Sequence, residues 1–346
     1  MRLRAYQELG IKDIWVSVVH PKSEAEKLEM AITDNEASGR WQEEQLAKYL
    51  EQYKGEIDLG NYQVDLGNPV SLDELLSKYG PEPEEDEVPE VQEEAVSKLG
   101  EVYQLGRHRV MCGSATDIDN VKTLLGDTKI DIVLTDPPYG IDVVQGGTVG
   151  ATGETHFGSV GGGKIAKVHQ YSEIIGDNTT DTARDAYNLC VSLGIQKQIY
   201  WGGNYFTDFL PPSPCWLIWN KKNTGNFADV EMAWTNFTTG AKLYDYLWNG
   251  LSREGDRKSE LVSRVHPTQK PVGLHVNILK DYSEEQSTVL DLFLGSGSTL
   301  IACEQTNRIC YGMEIDPKYV DVCRKRYHRF ITGSEEGWED ATKAIS

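Results

Sequence analysis

The chain has 346 residues, 34 Lys+Arg against 54 Asp+Glu, and a formal net charge of −20. That length suits one large or two medium domains, and the acidity argues against a protein that simply coats nucleic acid. No apolar run approaches the roughly 18 residues of a membrane span, Met1-Arg2-Leu3-Arg4-Ala5 lacks a signal-peptide core, and six Cys (112, 190, 215, 303, 310, 323) form no Cys-x-x-Cys pair, so neither a zinc knuckle nor a disulfide framework is expected and a cytosolic setting is.

Residues 1–80 read as a small α/β unit. Ala5–Gly10 predicts a helix closed by a Gly cap, and Ile14–Val19 a strand rich in β-branched residues. Ser23 and Glu26 form a capping box for a helix through Ile32, Asp34–Gly39 is a turn, Gln42–Tyr53 is helical, and Ser71 is expected to open a helix through Tyr79. Residues 81–97 carry eight Asp/Glu and no Lys or Arg among prolines, which predicts an extended acidic linker.

From Val102 strand and helix alternate. Predicted strands are Arg109–Gly113, Ile130–Leu134, Gln198–Gly203, Cys215–Trp219, an apolar run from Thr288 straight into Gly295, and Ile309–Ile315. Predicted helices are Asp119–Leu125, Asp181–Leu193, Gly273–Tyr282, Ser298–Gln305 and Pro317–Phe330, the last capped by Asp316. This alternation predicts an α/β fold with a mostly parallel sheet covered on both faces. Residues 144–170 hold eight Gly, too many for the interior of an element, and predict a lid-like loop; Gly161-Gly162-Gly163-Lys164 within it lacks the Ser/Thr of a phosphate loop. Residues 334–346 are an acidic tail.

Two stretches carry chemistry. Thr135-Asp136-Pro137-Pro138-Tyr139-Gly140 breaks a buried strand with an acid, two prolines and an aromatic ring, at the strand end where ligands of α/β folds bind. In Asp291-Leu292-Phe293-Leu294-Gly295-Ser296-Gly297-Ser298-Thr299 a strand runs into a glycine turn and then a helix. Glu314 ends the next strand, where an acid suits two vicinal ribose hydroxyls. Position 300 is Leu, so the third Gly of a dinucleotide fingerprint is absent. Residues 220–265 interleave Lys221, Lys222, Lys242, Arg253, Arg257, Lys258 and Arg264 with Trp234, Phe237, Tyr244, Tyr246 and Trp248, a composition that suits phosphates and bases, with a β-rich insertion having its own small core as the alternative.

Asp136-Pro137-Pro138-Tyr139 together with Asp291-x-Phe293-x-Gly295-x-Gly297 resembles the S-adenosylmethionine-dependent DNA amino-methyltransferases, in the permuted β-type order that sets the acceptor motif first. His266-Pro267-Thr268-Gln269-Lys270-Pro271 resembles the family's motif beside the methionine part of the cofactor. Leu105–Arg109 and Met111–Ser114 resemble its opening strands, although Ser114 stands where the family often has Asp. The resemblance covers roughly residues 100–331. It implies a Rossmann-like methyltransferase domain at 98–333 that uses S-adenosylmethionine, needs no metal, and acts on DNA in a cytoplasmic setting of bacterial or phage origin. A homodimer and a restriction partner are left open.

The residue roles follow from the same resemblance. Asp136 and the Pro137 carbonyl accept hydrogen bonds from the exocyclic amine of a base, Pro138 stiffens the turn, and Tyr139 stacks on a base flipped from the duplex. Phe293, Gly295, Gly297, Ser298 and Thr299 form the turn under the cofactor, Asp291 lies near its amino-acid part, Glu314 takes its ribose hydroxyls, and Thr268 and Lys270 face its carboxylate. The candidate nucleic-acid contacts Lys221, Lys222, Arg253, Arg257, Lys258 and Arg264 fall in a target-recognition insertion at 220–265. Asp at 136 favours adenine N6 as acceptor; cytosine N4, or a non-catalytic DNA-binding module of partition type, is the alternative. The front unit resembles the rear part of the ParB/sulfiredoxin-like domain, through Leu9-Gly10-Ile11-Lys12 and Asp34-Asn35, with Arg2 at the last Arg of that family's motif; this implies a truncated domain kept for packing, dimerisation or DNA contact.

Overall fold

The computed structural model describes residues 88–142, 175–222, 228–246 and 270–345, with short pieces at 20–23, 27, 30, 63–65, 69–71, 144–145 and 148–149. The chain divides into two units, Met1–Glu82 and Pro83–Ser346. In the first, β1 (Gln63–Asp65) pairs antiparallel with β2 (Pro69–Ser71). Ser71 is thus the last residue of a strand, and the helix expected from it through Tyr79 lies outside the described residues. Residues 27 and 30 are helical and the Ser23 carbonyl accepts from the Lys27 N–H at 3.1 Å, inside the helix expected there. The other elements expected in this unit lie outside the described residues.

In the second unit, β3 (Val102–Leu105) and β4 (His108–Cys112) form a hairpin turned at Gly106, whose φ of 56° is left-handed. Next come α1 (Ile118–Leu125), capped by the Asp117 carboxylate, and β5 (Ile132–Thr135). A small hairpin, β6 (Val144–Gln145) with β7 (Thr148–Val149), opens the glycine-rich stretch; residues 150–170 of that expected lid lie outside the described residues. Then follow α2 (Asp181–Ser192), β8 (Lys197–Trp201), β9 (Trp216–Asn220), β10 (Val230–Thr235), β11 (Lys242–Asp245) and α3 (Val272–Tyr282). The chain closes with β12 (Thr288–Asp291), α4 (Ser298–Gln305), β13 (Ile309–Glu314), α5 (Pro317–Thr332), α6 (Trp338–Ala341) and β14 (Ala344–Ile345).

The ten-stranded sheet runs β11-β9-β10-β8-β5-β12-β13-β4-β3-β14. It is mixed, where a mostly parallel sheet was expected. The central run β8-β5-β12-β13-β4 is parallel, but β10 is antiparallel to both β8 and β9, and β3 is antiparallel to β4 and β14. The β3–β4 connection is too short for the crossover a parallel pair requires. Strands of the central run are buried on both faces, and their side chains alternate. Ile132 and Leu134 face the core shared with α3, α4 and α5, while Val133 faces the core shared with α1 and α2.

Two segments expected to be solvated are tied to this unit. At the end of the acidic linker the Val96 and Ser97 N–H groups donate to Asp321 of α5, at 2.6 and 3.0 Å. The acidic tail carries α6 and β14 because Trp338 needs cover: its ring is buried against the Arg324 guanidinium, 4.6 Å from the ring centre.

Candidate active site

The chain leaves β5 for β8 on one side and β12 for β13 on the other. The crevice beyond the carboxyl ends of β5 and β12 is therefore a topological switch point, where ligands of such sheets bind. Thr135 bridges it. Thr135, the last residue of β5, donates through Oγ1 to Asp291 Oδ1, the last residue of β12, at 2.8 Å. Thr135 Oγ1 also accepts from the Leu292 N–H at 3.1 Å, and Asp291 accepts from the Phe293 N–H at 3.1 Å. Burial pushes the Asp291 carboxyl up to about 6.

The loop after β5 is a charged and aromatic cluster. Asp136 accepts from the Tyr139 hydroxyl at 2.7 Å and from Lys270 Nζ at 2.5 Å. Lys270 Nζ also donates to the Tyr139 hydroxyl at 3.2 Å and lies 3.2 Å from Glu231 Oε2 on β10. The second oxygen of Glu231 is paired with Lys221. The Lys270 side chain is 4% exposed, against 16% for Asp136 and 26% for Glu231, and its ammonium sits 5.2 Å from the Trp201 ring centre. Two lysines thus face two carboxylates in a largely dry site. Burial opposes the charged form of Lys270, yet Asp136 and Glu231 together hold it above the usual lysine value. Burial likewise opposes ionised Glu231, but Lys270 and Lys221 pull it down to about 2. For Asp136 burial dominates and raises the carboxyl.

Tyr139 is fixed from several sides. Its ring stacks on Tyr205 at 5.0 Å between centres and meets the Phe206 edge at 6.2 Å. Gly202, at φ 71°, leaves the room: a Cβ there would fall 2.1 Å from Tyr139 Cε1. Beyond the ring, the buried Asp177 carboxylate accepts from the Gly140 N–H at 2.9 Å and pins the end of the loop.

The turn after β12 is organised by β13 and α5. Glu314 Oε2 accepts from the Gly295 N–H and Oε1 from the Asp316 N–H, both at 2.9 Å. Burial nevertheless pushes the Glu314 carboxyl up to about 7. Gly295 and Gly297 have φ of 55° and 89°, the left-handed region that favours glycine. From α5, the Arg326 guanidinium donates to the Ser296 carbonyl at 2.8 Å and the Cys323 thiol to the Gly295 carbonyl at 3.2 Å. Ser298 Oγ donates to the Lys270 carbonyl at 2.8 Å, and Thr299 Oγ1 meets His275 Nδ1 at 3.1 Å.

Asp136, Tyr139 and Lys270 therefore converge beside the turn of Asp291, Phe293, Gly295, Gly297, Ser298, Thr299 and Glu314. Pro137 is buried and Pro138 half-buried in the loop between them. Lys270, expected to face the cofactor's carboxylate, gives its Nζ to Asp136, Tyr139 and Glu231. Lys221, expected at DNA, is paired with Glu231, and Lys222 is exposed beside it. Trp234, Tyr244 and Tyr246 were expected among bases, but all three are buried; Trp234 Nε1 donates to the Pro211 carbonyl and the Tyr244 hydroxyl to Asp281. Thr268, Arg253, Arg257, Lys258 and Arg264 lie outside the described residues. The sequence reading missed Glu231, Asp177, Trp201 and Tyr205. The one signal for Glu231 was an acid inside an otherwise apolar strand, Val230–Trp234.

A family model described as DNA methylase, for the N6/N4 class, matches residues 195–325. The type II methyltransferase M2.LlaDCHI of Lactococcus lactis subsp. cremoris is 28% identical over 117 residues, 34% of this chain and 42% of that protein. M2.MboI of Moraxella bovis is 24% identical over 226 residues, 58% of this chain and 82% of the relative. The chain thus spans less than half the length of the first relative and most of the second. Among solved structures, the PvuII DNA methyltransferase (cytosine-N4-specific) covers 70% of this chain and 95% of its own at 14% identity, with a TM-score of 0.45.

Proposed function

We propose that this chain transfers the methyl group of S-adenosylmethionine to the exocyclic amine of a base in DNA, with adenine N6 as the acceptor. The observation that carries the reading is the 2.8 Å bond from Thr135 to Asp291, which ties the Asp136 loop to the glycine turn at the sheet's switch point. The DNA methylase match and the type II methyltransferase relatives support a DNA amino-methyltransferase. The preference for adenine rests on Asp, rather than Ser or Asn, at position 136.

The residues of the turn fit the cofactor. Gly295 and Gly297 keep the backbone bare beside Glu314, and the acids Asp291 and Glu314 are held by hydroxyl and N–H donors at raised pKa, a setting that favours a ligand offering positive charge and hydroxyl donors. Phe293, Gly295, Gly297, Ser298 and Thr299 would line its seat, Glu314 would take its ribose hydroxyls, and Asp291 and Thr268 would lie toward its amino-acid end. When bound, the cofactor supplies a sulfonium methyl open to in-line displacement.

The chain's own part is to prepare the amine. An exocyclic amine is a weak nucleophile because its lone pair is delocalised into the ring. Asp136 and the Pro137 carbonyl accept its N–H groups and localise that pair on nitrogen, and the dry, fixed site gives these dipoles their strength. A carboxylate offers about four acceptor positions, so Asp136 keeps capacity beside its bonds from Tyr139 and Lys270. Tyr139 stacks on the base, which must leave the duplex to arrive. Arg253, Arg257, Lys258 and Arg264 supply phosphate contacts. The test is transfer of label from methyl-labelled cofactor to DNA, RNA and protein offered separately, with the DNA product digested and its bases separated. Labelled N6-methyladenine is expected. N4-methylcytosine overturns the base assignment, and no labelled DNA overturns the function.

A further inference from the structure

We propose that Glu231 is a positioning residue: it is the second seat for Lys270, taking that ammonium when an acceptor amine occupies Asp136. The inference rests on the functional reading above and adds to it a residue outside both motifs.

Lys270 has three N–H donors and three partners, Asp136 at 2.5 Å, the Tyr139 hydroxyl at 3.2 Å and Glu231 at 3.2 Å. The shortest bond falls on the atom the proposed chemistry needs. An ammonium on Asp136 draws electron density away from the carboxylate and weakens it as an acceptor for an incoming N–H. Removing Lys270 entirely would leave two carboxylates unbalanced in a buried site, which is costly. A shared lysine with two carboxylate seats resolves the conflict. Shortening the Glu231 contact while lengthening the Asp136 contact keeps the ammonium paired and frees Asp136, whose carboxylate then holds the Tyr139 hydroxyl and the incoming N–H donors.

Glu231 is suited to this task. It projects from β10, an interior strand paired on both sides by β8 and β9, and Lys221 holds its other oxygen. It is thus an anchored anion toward which the flexible lysine stem can move. Trp201 lies under the ammonium and Tyr139 beside it, so the path between the two seats is lined by rings that favour a cation.

The test compares wild type with Glu231→Gln in single-turnover methyl transfer to DNA, alongside calorimetry of S-adenosylmethionine binding and a thermal melt. With the amide in place, Asp136 is the one anion left beside Lys270 among the described residues, and the amine competes poorly. The expected result is a folded variant whose transfer rate falls at least tenfold while its cofactor Kd stays within about twofold of wild type. A wild-type rate overturns the proposal, as does a fall in rate matched by an equal loss of cofactor affinity. If Glu231→Gln does not fold, Glu231→Asp replaces it: this keeps the charge but draws the carboxylate back by one methylene. A threefold or larger fall in rate at unchanged cofactor affinity then supports the second seat, and an unchanged rate overturns it. A wild type that labels no DNA overturns the functional reading and the Glu231 role together. An active wild type with an equally active variant overturns the Glu231 role alone.

Discussion

Replacing Lys270 by Met tests the charge balance on which the candidate site stands. The stem volume is nearly kept, so the change removes one ammonium and three polar contacts with little loss of packing. Breaking a buried ion pair by removing one partner costs about 3–5 kcal/mol, because the survivor stays buried and uncompensated. Here the survivors are two, but each keeps some relief. Asp136 retains the Tyr139 hydroxyl and 16% exposure, and Glu231 retains Lys221 and 26% exposure. The expected loss is therefore below that range, about 2–3 kcal/mol at pH 7.5. With a urea m-value near 2–3 kcal/mol/M, the midpoint moves down by about 1 M. Tryptophan fluorescence reports the transition, since Trp201, Trp219 and Trp234 are all buried in this unit. The pH dependence has a definite sign. Without Lys270 the Asp136 carboxyl rises further, so the variant's native state binds more protons than its unfolded state, and stability falls as pH rises through the raised value. The gap to wild type must narrow toward pH 5. A midpoint within 0.2 M of wild type at pH 7.5 (about 0.5 kcal/mol), or a gap that widens on acidification, refutes the charge-balance argument.

Three further outcomes are expected. Asp136→Ala abolishes methyl transfer while calorimetry gives a cofactor Kd within about threefold of wild type; retained turnover refutes the acceptor role. Gly202→Ala meets both a left-handed φ of 71° and a Cβ 2.1 Å from Tyr139 Cε1, so it displaces the ring and lowers turnover on DNA by at least tenfold with the cofactor still bound, and a wild-type rate refutes the placement of Tyr139. Glu314, raised to about 7, must ionise to accept ribose hydroxyls well, so cofactor affinity strengthens as pH rises from 6 to 8 and Glu314→Gln removes that dependence. A wild-type Kd flat across that range refutes the assignment. By the same sign, the unliganded protein loses stability over pH 4.5–7, because the unfolded carboxyl ionises first.

The motifs themselves were legible because their chemistry is local. A strand that ends in Asp-Pro-Pro-Tyr, or in glycines ahead of a helix, announces a ligand edge by backbone rules alone. The helix Ser298–Gln305 stands as predicted, since its start is set by Gly297 and its end by the turn before β13. What the sequence hid is pairing. Lys270 reads as one more charge beside a glycine turn, and only the sheet order brings β10 and its Glu231 to it. Trp234, Tyr244 and Tyr246 misled for the same reason: aromatic residues between lysines look like a base-binding surface until strand alternation turns them inward. Trp338 carried the opposite lesson, a single large ring in an acidic tail that was enough to bring α6 onto α5.

The two halves of the crevice solve the burial of carboxylates in different ways, and the difference suits them to different ligands. On the acceptor side, Asp136 and Glu231 are balanced by Lys270 and Lys221, so that half is electrically complete before anything binds. A neutral base fits it, because an amine adds donors without adding charge. On the turn side, Asp291 and Glu314 are held by a threonine hydroxyl and backbone N–H groups, and both are raised, to about 6 and about 7. Such acids gain most from a ligand that brings positive charge and hydroxyl donors with it. Thr135 holds the two halves at a fixed separation through its bonds to Asp291 and the Leu292 N–H, so an uncharged acceptor on one side and a cationic donor on the other would meet across the junction of β5 and β12.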